Sequence, residues 1–250
     1  MCFSYSVNLS AQSLQSKLNL SEVSIPTPGY FFSGFTHPRL PVIIGRERQE
    51  IEPEFAESSS VLQSTSMQWG LIPHWAGDGN KADEMKVYGL NARAESVAEK
   101  PMFRDAWKHF PCLVPASGFF EWKAIGKKKE PYYIYASESE FILFAGIYSQ
   151  WVQPETGEEI KSYSIITTEA NQLLSEIHNT KQRMPVIIDA ENAEHYLLQS
   201  VEMREAMLKS CPEGYLRAHR VSPLASNARV NRNIVNVLQP FSEDYSQTLF

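Results

Sequence analysis

The chain has 250 residues, with 23 Lys and Arg against 29 Asp and Glu, so its formal net charge is −6. A hydrophobic share of 43% and a charged share of 21% exclude a disordered chain and suit a soluble globular protein with a sizeable core. With 12 Gly and 15 Pro it is not fibrous, and the negative balance excludes a uniformly basic, histone-like protein while leaving room for a local basic face.

No apolar run is long enough to span a membrane, and the first twenty residues lack a basic stretch followed by an apolar one, so no secretory signal is expected. The sequons at Asn8 and Asn19 therefore carry little meaning. The three cysteines, Cys2, Cys112 and Cys211, have no CxxC spacing. A disulfide framework and a zinc site are not expected, and a reducing cytoplasmic setting is.

In chain order, residues 10–20 have the apolar spacing of a short helix. Residues 30–45 read as two strands broken by a His-Pro turn. Residues 47–66, with five Glu between 47 and 57, read as a polar loop or edge. PCLVPASGFFEW (111–122) is strand-like with Gly118 as a bulge. PYYIYA (131–136) and FILFAGIY (141–148) are strands after a turn at Gly126. YSIITT (163–168) is another strand, followed by a helix over 169–178 with Thr168 as its N-cap. ENAEHYLLQS and VEMREAMLKS read as helical, and 215–222 as a late strand. The pattern is not a regular βαβ alternation. It predicts an α+β fold, one domain over 1–250, with a mostly antiparallel, barrel-like curled sheet and flanking helices.

Removal of Met1 would leave Cys2 with a free α-amine beside its thiol. Such a 1,2-aminothiol condenses with an aldehyde and closes to a thiazolidine; the same pair can also act as an N-terminal hydrolase nucleophile. In WGLIPHWA, Trp69 and Trp75 are either core residues or a stacking platform for an unpaired base. In NARAES, an extended backbone puts Asn91 and Arg93 on one side, a hydrogen-bonding amide beside a phosphate-matching fork. Glu121, among Phe119, Phe120 and Trp122, has the apolar setting that raises a carboxyl pKa. His178 falls at a helix C-terminus, where the dipole favours imidazolium, with Lys181 and Arg183 nearby. Residues 217–232 hold four Arg and no acid, and Arg229 and Arg232 lean to DNA contact. Residues 123–129 hold four Lys and no acid, a solvated turn or a basic rim. The His residues are not spaced to bind metal, and neither metal nor cofactor is expected.

Taken together, the MCF opening, WGLIPHWA, LNARAES, PASGFFEWK and IHNTKQRMPVII resemble the SOS-response-associated peptidase (SRAP) family of abasic-site processing proteins. The resemblance runs from residue 2 to about 240. It implies an abasic-site sensor in single-stranded DNA that forms a covalent thiazolidine cross-link through Cys2 and shields the site. It implies an orienting role for Asn91, acid/base chemistry for Glu121, and proton donation to the sugar oxygen by His178. Arg93 and Arg183 match phosphate-contacting positions, and Trp75 an aromatic beside the DNA. The family's peptidase label comes from self-removal of Met1; here that step is either autocatalytic or left to a methionine aminopeptidase. A Schiff base to the sugar also permits β-elimination, so weak lyase action is expected as a side reaction, as are a monomer and association with the nucleoid when DNA-bound. Many members open Cys-Gly-Arg, whereas here Ser4 takes the Arg position, and four residues separate His178 from Arg183. A thiol peptidase acting in trans and a non-covalent single-stranded DNA-binding module are the competing readings.

Overall fold

The computed structural model describes residues 2–46 and 61–242. The chain runs β1 (Ser4–Ser6), α1 (Ala11–Leu18), β2 (Phe32–Ser33), β3 (Arg39–Gly45), β4 (Leu62–Trp69), α2 (Gly79–Tyr88), β5 (Asn91–Arg93), α3 (Arg104–His109), β6 (Pro111–Ala116), β7 (Gly118–Ile125) and β8 (Lys128–Ala136). It continues through β9 (Ile142–Val152), β10 (Glu159–Glu169), α4 (Gln172–Ile177), β11 (Arg183–Pro185), β12 (Ile187–Ile188), α5 (Ala193–Leu198), α6 (Val201–Glu205) and β13 (Leu216–Arg220).

Five strands close on themselves. β10, β4, β3, β6 and β9 follow one another as hydrogen-bonded neighbours, and β9 pairs back to β10. Every contact in this ring is antiparallel except β10 with β4. Closure leaves no free edge between these strands. A second sheet, in the order β13-β8-β7-β1-β2, lies beside the ring. The expected α+β fold with a curled, barrel-like sheet is what the structure shows.

Alternation along the ring strands divides the core. Val42, Val114, Phe144 and Tyr163 join Tyr5, Phe119 and Ile134 of the second sheet in one apolar cluster. Ile43, Leu113, Leu143 and Ile166 face the other way, where Leu14 of α1, Trp107 of α3 and Tyr196 of α5 cover them. Helices α1, α3 and α5 thus pack on one face of the ring strands, and the second sheet with α4 (Leu174, Ile177) on the other.

Several expectations need correction. Residues 62–66, read as the end of a polar loop or edge over 47–66, belong to β4, which pairs with β3 from Gly45↔Leu62 to Arg39↔Gln68. Pairing along a whole strand outweighs the weak apolar signal of LQSTSMQW. The Glu-rich residues 47–60 lie outside the described part. PCLVPASGFFEW is two strands in two different sheets, β6 and β7. Gly118 is not a bulge but the first residue of β7, where a Cβ would come within 2.5 Å of the Ile134 carbonyl oxygen and the Tyr133 ring. The helix after β10 starts later than expected. Thr168 and Glu169 still pair with Met184 and Arg183, and Asn171 is the N-cap, accepting from the Leu174 amide at 3.0 Å. The helices α2 and α3 were not foreseen. The short helix at 10–20 and the Gly126 turn (φ +58°) are as read.

Candidate active site

Cys2 enters the molecule through β1, which pairs with β7 at Tyr5↔Phe119 and Ser6↔Gly118. Extending that antiparallel register carries the N-terminus toward Glu121 on the same strand β7. Asn91 arrives from β5, which runs parallel to β10 with Ile165 opposite Asn91. Its Nδ2 donates to the Cys2 carbonyl oxygen at 2.9 Å. His178 caps the C-terminus of α4, and its Nδ1 lies 3.8 Å from Glu121 Oε1. Cys2, Asn91, Glu121 and His178, spread over some 180 residues of sequence, therefore converge.

The cluster is dry. Cys2 is 0% exposed, Glu121 4% and His178 7%. Burial, with the Glu121 charge next, pushes the Cys2 thiol well above its ordinary range. Burial also raises the Glu121 carboxyl to about 7, so near neutrality it is present both as acid and as base. The same desolvation lowers the His178 pKa. This corrects the expectation that the helix dipole would favour imidazolium: removal from water costs the charged ring more than a six-residue helix returns. The Arg183 carbonyl oxygen can only accept, so the 2.9 Å contact from His178 Nδ1 fixes the proton there and leaves the lone pair of the neutral ring on Nε2.

Sequence reasoning missed Asn179. Its Oδ1 accepts from the Ala124 amide at 3.0 Å and its Nδ2 donates to the Ala124 carbonyl at 2.9 Å. The segment after α4 is thereby fastened to the edge of β7, three residues beyond Glu121. An Asn next to a suspected His was the only available signal. Asn91 Oδ1 is buried and accepts no hydrogen bond among the described residues, although it belongs to the amide that already holds Cys2.

The expected DNA contacts divide. Arg93, on the strand of Asn91 and two residues along, is exposed. Trp75 is 45% exposed. Arg229 is exposed on a loop, and only its backbone amide is bonded, to Asn227 Oδ1; no contact among the described residues brings its side chain to the cluster. Two others, Trp69 and Arg183, are corrected. Trp69 is fully buried, lies parallel to Tyr163 at 6.3 Å and donates its indole N–H to the Leu90 carbonyl at 2.9 Å; it is core and offers no face to a base. Arg183 is buried and forks onto Glu95 at 2.6 and 2.9 Å, with a further bond of 2.6 Å to the Thr167 carbonyl. Its charge is already neutralised. Arg232 lies over the Phe31 ring at 4.3 Å. Glu95, part of the NARAES segment, was the overlooked partner. Among the described residues no group of three or more His, Cys, Asp or Glu is placed to hold a metal, and no helix is long and apolar enough to cross a membrane.

Residues 1–228 match the family described as SOS response associated peptidase, SRAP. The chain belongs to this family. Among SRAP-related proteins, it is 36% identical over 169 residues to the abasic site processing protein YoqW of Bacillus subtilis, an alignment covering 66% of this chain and 72% of that one. It is 32% identical over 178 residues to the abasic site processing protein YedK of Escherichia coli, covering 70% and 74%. Against the abasic site processing protein HMCES of Xenopus tropicalis it is 29% identical over 193 residues, covering 69% of this chain and 56% of that longer one. A solved structure of a Bacteroides thetaiotaomicron protein superposes with a TM-score of 0.84 at 32% identity, covering 96% of this chain and all of that one.

Proposed function

We propose that this SRAP protein processes abasic sites in single-stranded DNA by capturing the ring-opened sugar on Cys2 as a thiazolidine, after Met1 has been removed. The supporting observation is the convergence of the N-terminal thiol with Asn91, Glu121 and His178 in one water-poor cluster. Met1 itself lies outside the described residues.

The chemistry balances without an oxidant or cofactor. The Cys2 amine adds its lone pair to the aldehyde carbon C1′, giving a carbinolamine. Protonation of the new hydroxyl expels one water and leaves an imine. The Cys2 sulfur then adds to the same carbon, and the thiol proton ends on the nitrogen. Glu121, with a pKa of about 7, can give the proton that expels water and take the one that leaves sulfur. His178 suits ring opening: its neutral form accepts a proton, and its protonated form, disfavoured by burial, is a stronger acid toward the sugar oxygen than free imidazole. Asn91 holds the Cys2 carbonyl, and its vacant Oδ1 is an acceptor for the amine that loss of Met1 creates. Arg93 and Trp75 are the exposed groups suited to phosphate and base, and Arg229 is a further exposed cation. An imine that fails to close can undergo β-elimination, which is the source of weak lyase action. Removal of Met1 by the same thiol is the peptidase activity in this reading.

The test uses protein shown by mass to lack Met1, incubated with single-stranded oligonucleotides that are intact or carry one abasic site. The mixtures are heated and resolved on a denaturing gel without borohydride. Wild type should shift only the abasic strand, and Cys2→Ser should shift neither. An equally heat-stable adduct from Cys2→Ser, or none from wild type, refutes the thiazolidine.

A further inference from the structure

Beside the nucleophile lies an aromatic pair that none of this chemistry uses. Phe3, the residue after Cys2, packs its ring against Phe35 at 5.1 Å with the planes 31° apart. Phe35 is 62% exposed, which is uncommon for a phenylalanine held in a fixed turn.

The turn is held on every side. Phe35 occupies the short 3-10 helix Gly34–Thr36. The Gly34 amide donates to the Phe3 carbonyl at 2.9 Å, which ties the turn to the strand that carries Cys2. The Thr36 hydroxyl donates to the Ser33 carbonyl at 2.8 Å. His37 ends the turn in the left-handed region (φ 48°), and its Nδ1 donates to the Trp69 carbonyl at 2.8 Å. Gly34 sits against Leu90, where an added Cβ would be 3.1 Å from Cδ2, and Leu90 precedes the Asn91 that holds Cys2. The Phe35 ring is therefore held against Phe3, the residue that follows the nucleophile, on a turn that is tied to the Cys2 strand and packs against Leu90, the neighbour of Asn91.

A captured abasic sugar is tethered at Cys2, and its neighbouring nucleotides are tethered to the sugar. Stacked nucleotides rise by about 3.4 Å along a strand, and adjacent Cα atoms are about 3.8 Å apart. A flanking base thus falls within reach of the Phe3–Phe35 pair. An unpaired base has an apolar π-face that an exposed aromatic can cover in a sequence-tolerant way, and this pair presents no charge to a phosphate.

We infer that Phe3 and Phe35 form a stacking platform for the nucleobase next to the abasic sugar, and that this makes the rate of cross-linking depend on the neighbouring base. The inference rests on the thiazolidine reading and adds a specificity element to it. Purines, with the larger stacking face, are captured faster than pyrimidines.

The experiment measures cross-linking rates at protein concentrations below saturation. The strands carry one abasic site flanked on both sides by adenine, by thymine, or by base-free spacers, and free 2-deoxyribose 5-phosphate is a parallel substrate for wild type. Wild type should rank adenine above thymine above spacer, with about tenfold between the extremes. Phe35→Ala should flatten that ranking. Phe35→Leu, which keeps apolar bulk without a ring, should flatten it too if the alanine variant folds poorly, and Phe35→Tyr should restore it. Equal wild-type rates on the three strands, or an unchanged ranking in Phe35→Ala and Phe35→Leu, overturn the platform while leaving the thiazolidine standing. Failure of wild type to form a heat-stable adduct with both the free sugar phosphate and the strands overturns the thiazolidine and the platform together.

Discussion

Replacing Glu121 with Gln should make the protein more stable and less active, and the stability gain should depend on pH. Burial holds the Glu121 carboxyl at about 7, against an ordinary value of 4.5. The folded protein therefore keeps its proton where the unfolded chain has released it. The sign follows from linkage. Below about pH 4.5 both states are protonated and Glu121 costs nothing. As pH rises toward 7 the unfolded state ionises first and is favoured, so stability falls; above that both are ionised and the loss is complete. The span from 4.5 to about 7 corresponds to about 3 kcal/mol. Glu121→Gln is isosteric and does not titrate. Its urea-derived stability relative to wild type should rise between pH 5 and 7 by about 2–3 kcal/mol and then level off. Its cross-linking rate should fall by about two orders of magnitude, the usual contribution of a positioned acid/base. Both proteins must carry the same N-terminus, verified by mass. A stability difference independent of pH from 5 to 8 would show that Glu121 is not buried as a proton-retaining carboxyl, and the acid/base assignment would fall with it.

Other outcomes separate contact from support. Asn179→Ala removes two bonds to the Ala124 backbone and should cost about 1–2 kcal/mol in urea unfolding; because it frees the segment after His178, cross-linking should slow by roughly ten- to a hundredfold, with a shifted pH profile that a stability defect alone would not produce. Arg93→Ala should lower the salt slope of single-stranded DNA binding by about 0.7. Glu95→Gln should leave that slope intact and instead lower the melting temperature, because it deprives the buried Arg183 of its carboxylate; unchanged melting would mean that the ion pair is idle. Trp69→Ala should destabilise by about 3–5 kcal/mol, whereas Trp75→Ala should change stability by less than about 0.5 kcal/mol and weaken DNA binding. Iodoacetamide should alkylate Cys2 far more slowly than a free cysteine at pH 7.5, and rapid alkylation would refute the raised thiol pKa.

The members of the candidate cluster were more legible in the sequence than the contacts around them. An aminothiol at the chain start is a property of two adjacent residues, and Asn91 beside Arg93 needs only an extended backbone. Glu121 between Phe120 and Trp122 announces its own desolvation. The Arg183–Glu95 pair was hidden because its members come from β11 and the segment after β5, which meet only through β10. An arginine near a histidine read as a free cation when its partner stood 88 residues away. The protonation of His178 was misjudged for a related reason. The dipole is visible in a helix end, but burial by the second sheet is not. Trp69 and Trp75 look equivalent in WGLIPHWA, and only the turn at Gly70 (φ +117°), after which the chain leaves β4, sends one into the core and the other toward solvent. The strand β4 was lost because its polar alternation is legible only against β3.

For the proposed cross-link, a buried thiol with a raised pKa is at first sight a poor nucleophile, since the thiolate is the reactive form. The order of events resolves this. The amine, not the sulfur, makes the first bond to an aldehyde, and an α-amine with an ordinary pKa of about 8 is partly neutral at pH 7. Sulfur is needed only once the imine is in place, and then as an intramolecular partner five atoms around a closing ring, where proximity offsets weak basicity. An electrophile that attacks thiolates directly meets a protonated, desolvated thiol and is refused. An aldehyde enters through the amine and brings the sulfur its target. In the proposed reaction, burial of Cys2 beside a carboxyl that titrates near 7 would therefore reserve a single-use nucleophile for carbonyl substrates, the same burial that lowers its general reactivity supplying its selectivity.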